Sequence, residues 1–381
     1  MMKKKQKKLQ KIQKALSNIS ASFLKWQKMK ENKFLYLVKF IACMLVIVIH
    51  TRFPGNFGTA MDAVSRIAVP YFFALSGRFL LREGNEDAQK IREKSGRYLV
   101  KLLKITGIVY SVYFIFSLSV HIYLKDSVKE WLISKYSPKE ALWFVLFNSG
   151  TFVYDSVFTF DHMWFLFALI YVIGLIYIFA GVLRKWYKWL IAGLLFMLYF
   201  GEALQTFYPI RPFDISITTW YVMRNWLFVG LPFVLLGILL SDIFREKKKE
   251  YGDSYAEVMT KKKPLFIILV AAGIVCSIAE AFVFGKKEVF FGSLVAVIGL
   301  FLLSECEVSC GKYLYKIGKN SSDVIYYYHV LVIAVLDRLS YSEVIPYPPM
   351  WFKPILVMVL CLLIFYIVPA VFKRKIFIKG K

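Results

Sequence analysis

Ten stretches of this chain are apolar for long enough to cross a lipid bilayer, and that repetition removes most folds from consideration. They cover residues 34–52, 61–81, 98–124, 162–183, 187–205, 224–244, 264–284, 288–305, 321–341 and 350–372. A hydrocarbon core of about 30 Å takes about 20 helical residues, and a chain inside it must satisfy its own backbone hydrogen bonds. The expected fold is an all-α polytopic membrane protein with about ten transmembrane helices. Charge then orients it. In a soluble chain a net charge of +25 would suggest a nucleic-acid partner. Here Lys and Arg crowd into alternate loops and both terminal segments, the bias of cytoplasmic loops. Both termini are therefore expected in the cytoplasm, with membrane lipids as partners and no nucleic acid.

Three parts are expected along the chain. Residues 1–33 form a basic cytoplasmic arm with eleven lysines. Its apolar positions are too scattered for a cleavable signal peptide and suit a helix lying on anionic lipid. Residues 34–372 form one transmembrane domain, and 373–381 a basic cytoplasmic tail. The long external loop from Lys125 to Asp161 holds an apolar piece, Ala141–Asn148, that is too short to span and is expected to lie at the interface or re-enter. The five cysteines fall in apolar spans or beside a cytoplasmic loop, where disulfides are not expected. Cys306 and Cys310 have no second ligand pair nearby, so no metal is expected.

Chemistry concentrates on a few polar residues within the spans. Lys39 and His50 share one face of the first span, since eleven residues make three turns plus roughly 20°. About 16 Å of helix, half a bilayer, separates them. Intramembrane basic residues are costly and mark functional sites by default, although snorkelling also accounts for either one alone. In the second span Arg66 needs a partner or a wet cavity, and Asp62 one turn earlier is a sufficient local one. Pro70 frees a backbone carbonyl and kinks this helix. Arg97, Lys101 and Lys104 form one basic stripe at the cytoplasmic start of the third span, suited equally to phosphates such as those of coenzyme A and to anionic lipid headgroups. His162 opens the fourth span beside Asp161, which could orient it, or it belongs to an interfacial His-Trp belt. Arg224, Glu202 and Glu280 fall at external helix ends and could join Arg66 around a polar cavity. His329, mid-span, reads as structural, and His121 as facing the interface.

Five segments in order resemble signatures of the acyltransferase 3 family. They are Lys39 and His50 with ten residues between, Val69-Pro70-Tyr71-Phe72-Phe73-Ala74-Leu75-Ser76-Gly77, Asp161-His162-Met163-Trp164-Phe165-Leu166, Leu231-Pro232-Phe233-Val234-Leu235-Leu236-Gly237, and the Tyr-rich helix ending at His329. The resemblance runs from Phe34 to Phe372. It implies a multi-pass enzyme of the bacterial inner membrane, moving an acyl group, acetyl foremost, from cytoplasmic acyl-CoA to a hydroxyl of a cell-envelope glycan or lipid-linked sugar. On that reading Lys39, Arg97, Lys101 and Lys104 hold the donor phosphates. His50 acts as general base or transient acyl carrier, Arg66 stabilises the oxyanion or orients the acceptor, and Asp161 and His162 serve the external half of the site. The family often has an Arg-x-x-Arg pair near the third helix, where this chain has Lys94-Ser95-Gly96-Arg97. Many glycan-modifying members also carry a soluble esterase-like domain after the membrane core. None follows here, so the last step is expected from the membrane domain or from a separate extracytoplasmic transferase or glycan-synthesis protein. The second span also resembles the membrane half of vancomycin-resistance serine racemases, which implies an alternative, transport of a small molecule such as serine. A non-catalytic partner in envelope synthesis is the third reading.

Overall fold

The computed structural model describes residues 32–80, 87–148, 150–153, 161–207, 224–311 and 313–371. The basic arm, apart from its last two residues, and the 373–381 tail lie outside the described residues. Each of the ten apolar stretches is helical, and no strand occurs among the described residues. Seven helices are long and apolar enough to cross a membrane by themselves, while Trp164–Ile178 and Phe291–Leu303 are shorter apolar helices. The protein is an all-α polytopic membrane protein.

Local chemistry explains where the helices begin and break. The first runs over Lys33–Thr51, and the Asn32 side chain caps it by accepting from the Leu35 N–H at 3.1 Å. The second span is not continuous. Gly55–Ser65 and Ala68–Leu80 are separate helices joined at Arg66 and Ile67. Pro70 has no N–H to offer the carbonyl four residues back, which is that of Arg66, so the ladder fails there. The third helix starts ten residues before its apolar stretch, at Ala88, where Asp87 caps Gln89, and continues to Leu124. The long external loop carries two short helices, Val128–Lys135 and Pro138–Phe147, and the second buries none of its residues.

The tightest packing joins the second span to the sixth, Leu231–Tyr251. A Cβ on Gly77 would sit 1.9 Å from the Val234 carbonyl oxygen, and one on Gly237 would sit 1.9 Å from that of Ala74. The two backbones touch reciprocally, as small residues allow between helices that gain nothing from expelling lipid. At the Lys39 end two buried carboxylates lock further spans. Glu305 holds Arg78 and, at 2.7 Å, Lys248, and accepts from the Tyr255 hydroxyl at 2.9 Å. Asp242 holds Arg184, Arg245 at 2.6 Å and the Tyr187 hydroxyl at 2.9 Å.

Gly237→Ala should lower stability by about 1–3 kcal/mol, because the new methyl meets backbone that cannot swing away. Gly193→Ala, where a Cβ would meet nothing within 4 Å, should be neutral or slightly stabilising. Melting temperatures of both variants in one detergent check the pair.

Candidate active site

Three helices converge three histidines at the end opposite Lys39. His50 lies in the last turn of the first span, His162 in the 3-10 turn Asp161–Met163 that opens the fourth, and His329 within Ser322–Tyr341. The His329 ring centroid is 5.2 Å from that of His50 and 5.2 Å from that of His162. Backbone carbonyls fix two tautomers, since a carbonyl only accepts. His329 donates through Nδ1 to Tyr326 at 2.8 Å, and His162 through Nε2 to Tyr327 at 3.0 Å. That leaves lone pairs on His329 Nε2 and His162 Nδ1, both buried and without a hydrogen-bond partner among the described residues.

A chamber of about 40 Å³ lies against this cluster, lined by His50, His162, Arg66, Arg224, Glu288 and Tyr326 among others. Glu288 is its electrostatic centre. It pairs with Arg66 at 2.7 Å and Arg224 at 3.8 Å, while Arg66 also reaches Asp62 at 3.3 Å and Arg224 lies over the Trp164 ring. The broken second span is what turns Arg66 into this network. Asp161 opens its turn, but its side chain lies outside the described residues.

At the opposite end a larger cavity of about 740 Å³ collects Lys39, Lys94, Arg97, Lys101 and Lys319. Lys39 is paired with Asp323 at 2.7 Å. Lys104 is not part of this cavity and stands exposed. It shares the stripe's face, but another three residues of rise, about 4.5 Å, carry it past the cavity's edge. One residue is common to the two spaces. Tyr326 lines both, its ring packed on Phe72 and Phe165 (centroids 5.7 and 5.2 Å) and its hydroxyl donating to the His162 carbonyl at 2.9 Å. His50 in turn lines both the chamber and a third space, an outer cleft of about 880 Å³.

A family profile described as an acyltransferase domain matches residues 32–374. The chain belongs to the acyltransferase 3 family. No curated protein and no solved structure matches it. The structure sorts the family-like segments by what they do. Val69–Gly77 and Leu231–Gly237 pack on each other through their terminal glycines, but Val69 also lines the chamber and Phe72, Leu75 and Ser76 line the larger cavity, while the segments carrying His50, His162 and His329 meet at the chamber. The signature segments therefore both hold helices together and line the cavities.

Sequence reasoning placed His162 near the depth of His50 and Arg224, Glu202 and Glu280 with Arg66, and the structure brings His50, Arg66, His162 and Arg224 together around the chamber. It did not find Glu288, which sits in a short loop behind Lys286 and Lys287, or the part His329 plays. Nothing in the spacing of Tyr326-Tyr327-Tyr328-His329 says which neighbouring helix its ring will face. Glu280 has another job: it accepts from the Phe291 and Gly292 N–H groups at 2.9 and 2.8 Å and caps the eighth span. Glu202 is buried beside Lys287, which donates to its backbone carbonyl. His121 is buried, not interfacial, stacked on Trp131 and bonded to Asp126.

Removing the central carboxylate should be costly. Glu288→Gln takes a counter-charge from Arg66 and Arg224 and is expected to destabilise by about 2–3 kcal/mol, below the full cost of orphaning a buried ion because Arg66 keeps Asp62. Glu307→Gln, on the surface, should change little. Thermal unfolding of the two variants provides the comparison.

Proposed function

We propose that this acyltransferase takes a short acyl group, acetyl foremost, from cytoplasmic acyl-CoA and transfers it to a hydroxyl of a cell-envelope glycan or lipid-linked sugar outside the bacterial inner membrane. The observation that carries this reading is the meeting of three spaces at two residues. A cation-lined cavity and a histidine chamber share Tyr326 in their linings, and the chamber and an outer cleft share His50.

In this mechanism Lys39, Arg97 and Lys101 bind the phosphates of the donor, with Lys94 and Lys319 adding charge. Guanidinium and ammonium groups give charge-assisted hydrogen bonds to phosphate oxygens. The acyl carbonyl reaches past Tyr326 into the chamber, whose volume of about 40 Å³ suits a group of two or three heavy atoms, given that one water needs ~10–15 Å³ by the same measure. His50 takes the proton from the acceptor hydroxyl as the new C–O bond forms. The C–S bond then breaks, and His50 returns the proton to the departing thiolate. A neutral imidazole suits both halves, because its free nitrogen can take the hydroxyl proton and give it back to the thiolate. The His329 ring packs 5.2 Å from that of His50, centroid to centroid, and limits how it can turn. Arg66, fixed by Glu288 and Asp62, supplies positive charge where the carbonyl oxygen becomes an oxyanion.

Free CoA released by the purified protein in liposomes, with and without an extract of envelope glycans, tests the reading. His50→Ala should lower turnover by about 10²- to 10⁴-fold with the fold intact. His329→Gln should lower kcat and leave KM for the donor unchanged. Full turnover in His50→Ala would sink the mechanism, while no CoA release together with flux of labelled serine would establish transport instead. At the donor cavity, Lys101→Met should raise the KM for acyl-CoA about tenfold, the worth of one charge-assisted bond, and Lys104→Met should leave it unchanged. Steady-state kinetics across a donor titration separate the two.

A further inference from the structure

The outer cleft has a chemical preference of its own. It runs between the outer ends of the first, third and ninth spans and reaches His50. Two guanidinium groups line it, Arg52 and Arg338, beside Asp126, Asp337, Tyr341 and Tyr347. The carboxylates are engaged within the protein. Asp337 takes the Lys353 ammonium at 2.6 Å, and Asp126 accepts from His121 Nδ1 at 3.0 Å. The guanidinium groups are less engaged. Arg338 lies over the Tyr341 ring, 5.7 Å from its centroid, and pairs with no carboxylate among the described residues. Arg52 is 53% exposed and approaches only Asp62, at 4.0 Å, an aspartate already 3.3 Å from Arg66.

The backbone at Arg52 gives a second, independent observation. Its φ of 31° is left-handed, and its N–H closes the first helix on the Val48 carbonyl at 2.8 Å. Glycine would adopt this conformation without steric cost, whereas an arginine there is strained. Strain retained two residues after His50, at the mouth of a ligand-sized cleft, points from backbone to function. The guanidinium is the feature glycine could not provide.

The geometry points to Arg52 and Arg338 as an anion-binding fork in the outer cleft that holds a phosphodiester or carboxylate of the acceptor, which makes the acceptor an anionic carbohydrate and not a neutral one. Planar guanidinium donors match both oxyanions in fork geometry. The fork orients the sugar so that a neighbouring hydroxyl meets His50, and Tyr341 and Tyr347 offer ring faces beside it. This inference rests on the acyl-transfer reading for the acceptor's role, but the binding itself does not require turnover.

The test is direct binding without any donor, using the full chain in neutral phosphatidylcholine nanodiscs. The probes are polyglycerol phosphate, polygalacturonate and, as the uncharged control, dextran. Both polyanions should bind at least about tenfold more tightly than dextran and weaken as salt rises. Arg52→Gly and Arg338→Gln should each weaken polyanion binding about tenfold and leave the dextran signal unchanged. Arg52→Gly suits its backbone better than the native residue, so its melting temperature should be kept or raised, which separates lost binding from lost fold. Equal binding of dextran and polyanions, or unchanged polyanion binding in the double variant, overturns the proposal. So does an arginine-dependent stabilisation by phosphatidylglycerol vesicles with no polyanion binding, because the fork would then hold a lipid headgroup. Loss of CoA release with arginine-dependent polyanion binding intact would reject acyl transfer and leave the anion site standing.

Discussion

Lipid offers no hydrogen bonds, so every polar group carried into the bilayer must find its answer inside the protein. Most of this architecture can be read as those answers. Glu305 and Asp242 each gather two cations and a tyrosine hydroxyl at one end, and Glu288 gathers Arg66 and Arg224 near the other. These clusters tie together spans far apart in sequence. Against that background the unanswered groups stand out. His329 and His162 each satisfy one ring nitrogen on a backbone carbonyl and leave the other bare beside His50. A buried acceptor without a donor costs stability, and its persistence in three converging helices is what gives the chamber its chemical character.

The same constraint explains what could be read in advance. The all-α polytopic fold was legible because the length of a spanning helix is set by bilayer thickness and not by neighbours. The depths of Lys39 and His50 followed from helical rise alone, and the break below Pro70 from a missing N–H. Prediction from one helix stops where partners begin. Lys94 and Lys319 share the cation-lined cavity although they sit on the third span and ahead of the ninth, while Lys104, on the same stripe as Lys101, misses it. Glu288 passed as merely the first residue of the 288–305 stretch, because nothing in Gly285-Lys286-Lys287-Glu288 shows that two arginines from other helices will close on it. His329 looked structural for the same reason.

Family membership gains physical meaning from this sorting. A segment such as Val69–Gly77 is easy to take as catalytic because it is the most specific match. Its last residue is nevertheless a packing device: Gly77 meets the Val234 backbone and Gly237 meets that of Ala74, with no room for a methyl at either. The catalytic geometry depends on that contact at one remove. Close approach of the second and sixth spans holds the Ala68–Leu80 helix in place, Pro70 sets the break at Arg66, and the break lets Arg66 reach Glu288 instead of lying along a continuous helix. Packing residues and chamber residues are therefore parts of one requirement.

In the proposed mechanism Tyr326 meets two demands that conflict in any enzyme working across a membrane. A thioester must approach a base on the far side, yet an open path would leak water and ions and let the donor hydrolyse without an acceptor. A ring packed between Phe72 and Phe165 and tethered to the His162 carbonyl closes the path with one side chain, and rotation of one side chain is cheap compared with moving a helix. The tether also couples the wall to the site. Displacing Tyr326 frees the carbonyl of the residue whose ring lines the chamber, so admission of the acyl group and rearrangement of the histidines become one event. A larger chamber would relax the demand on acyl length, and a larger wall would need a moving helix. The arrangement of one aromatic ring, one small chamber and one histidine facing outward satisfies both demands with the fewest moving atoms.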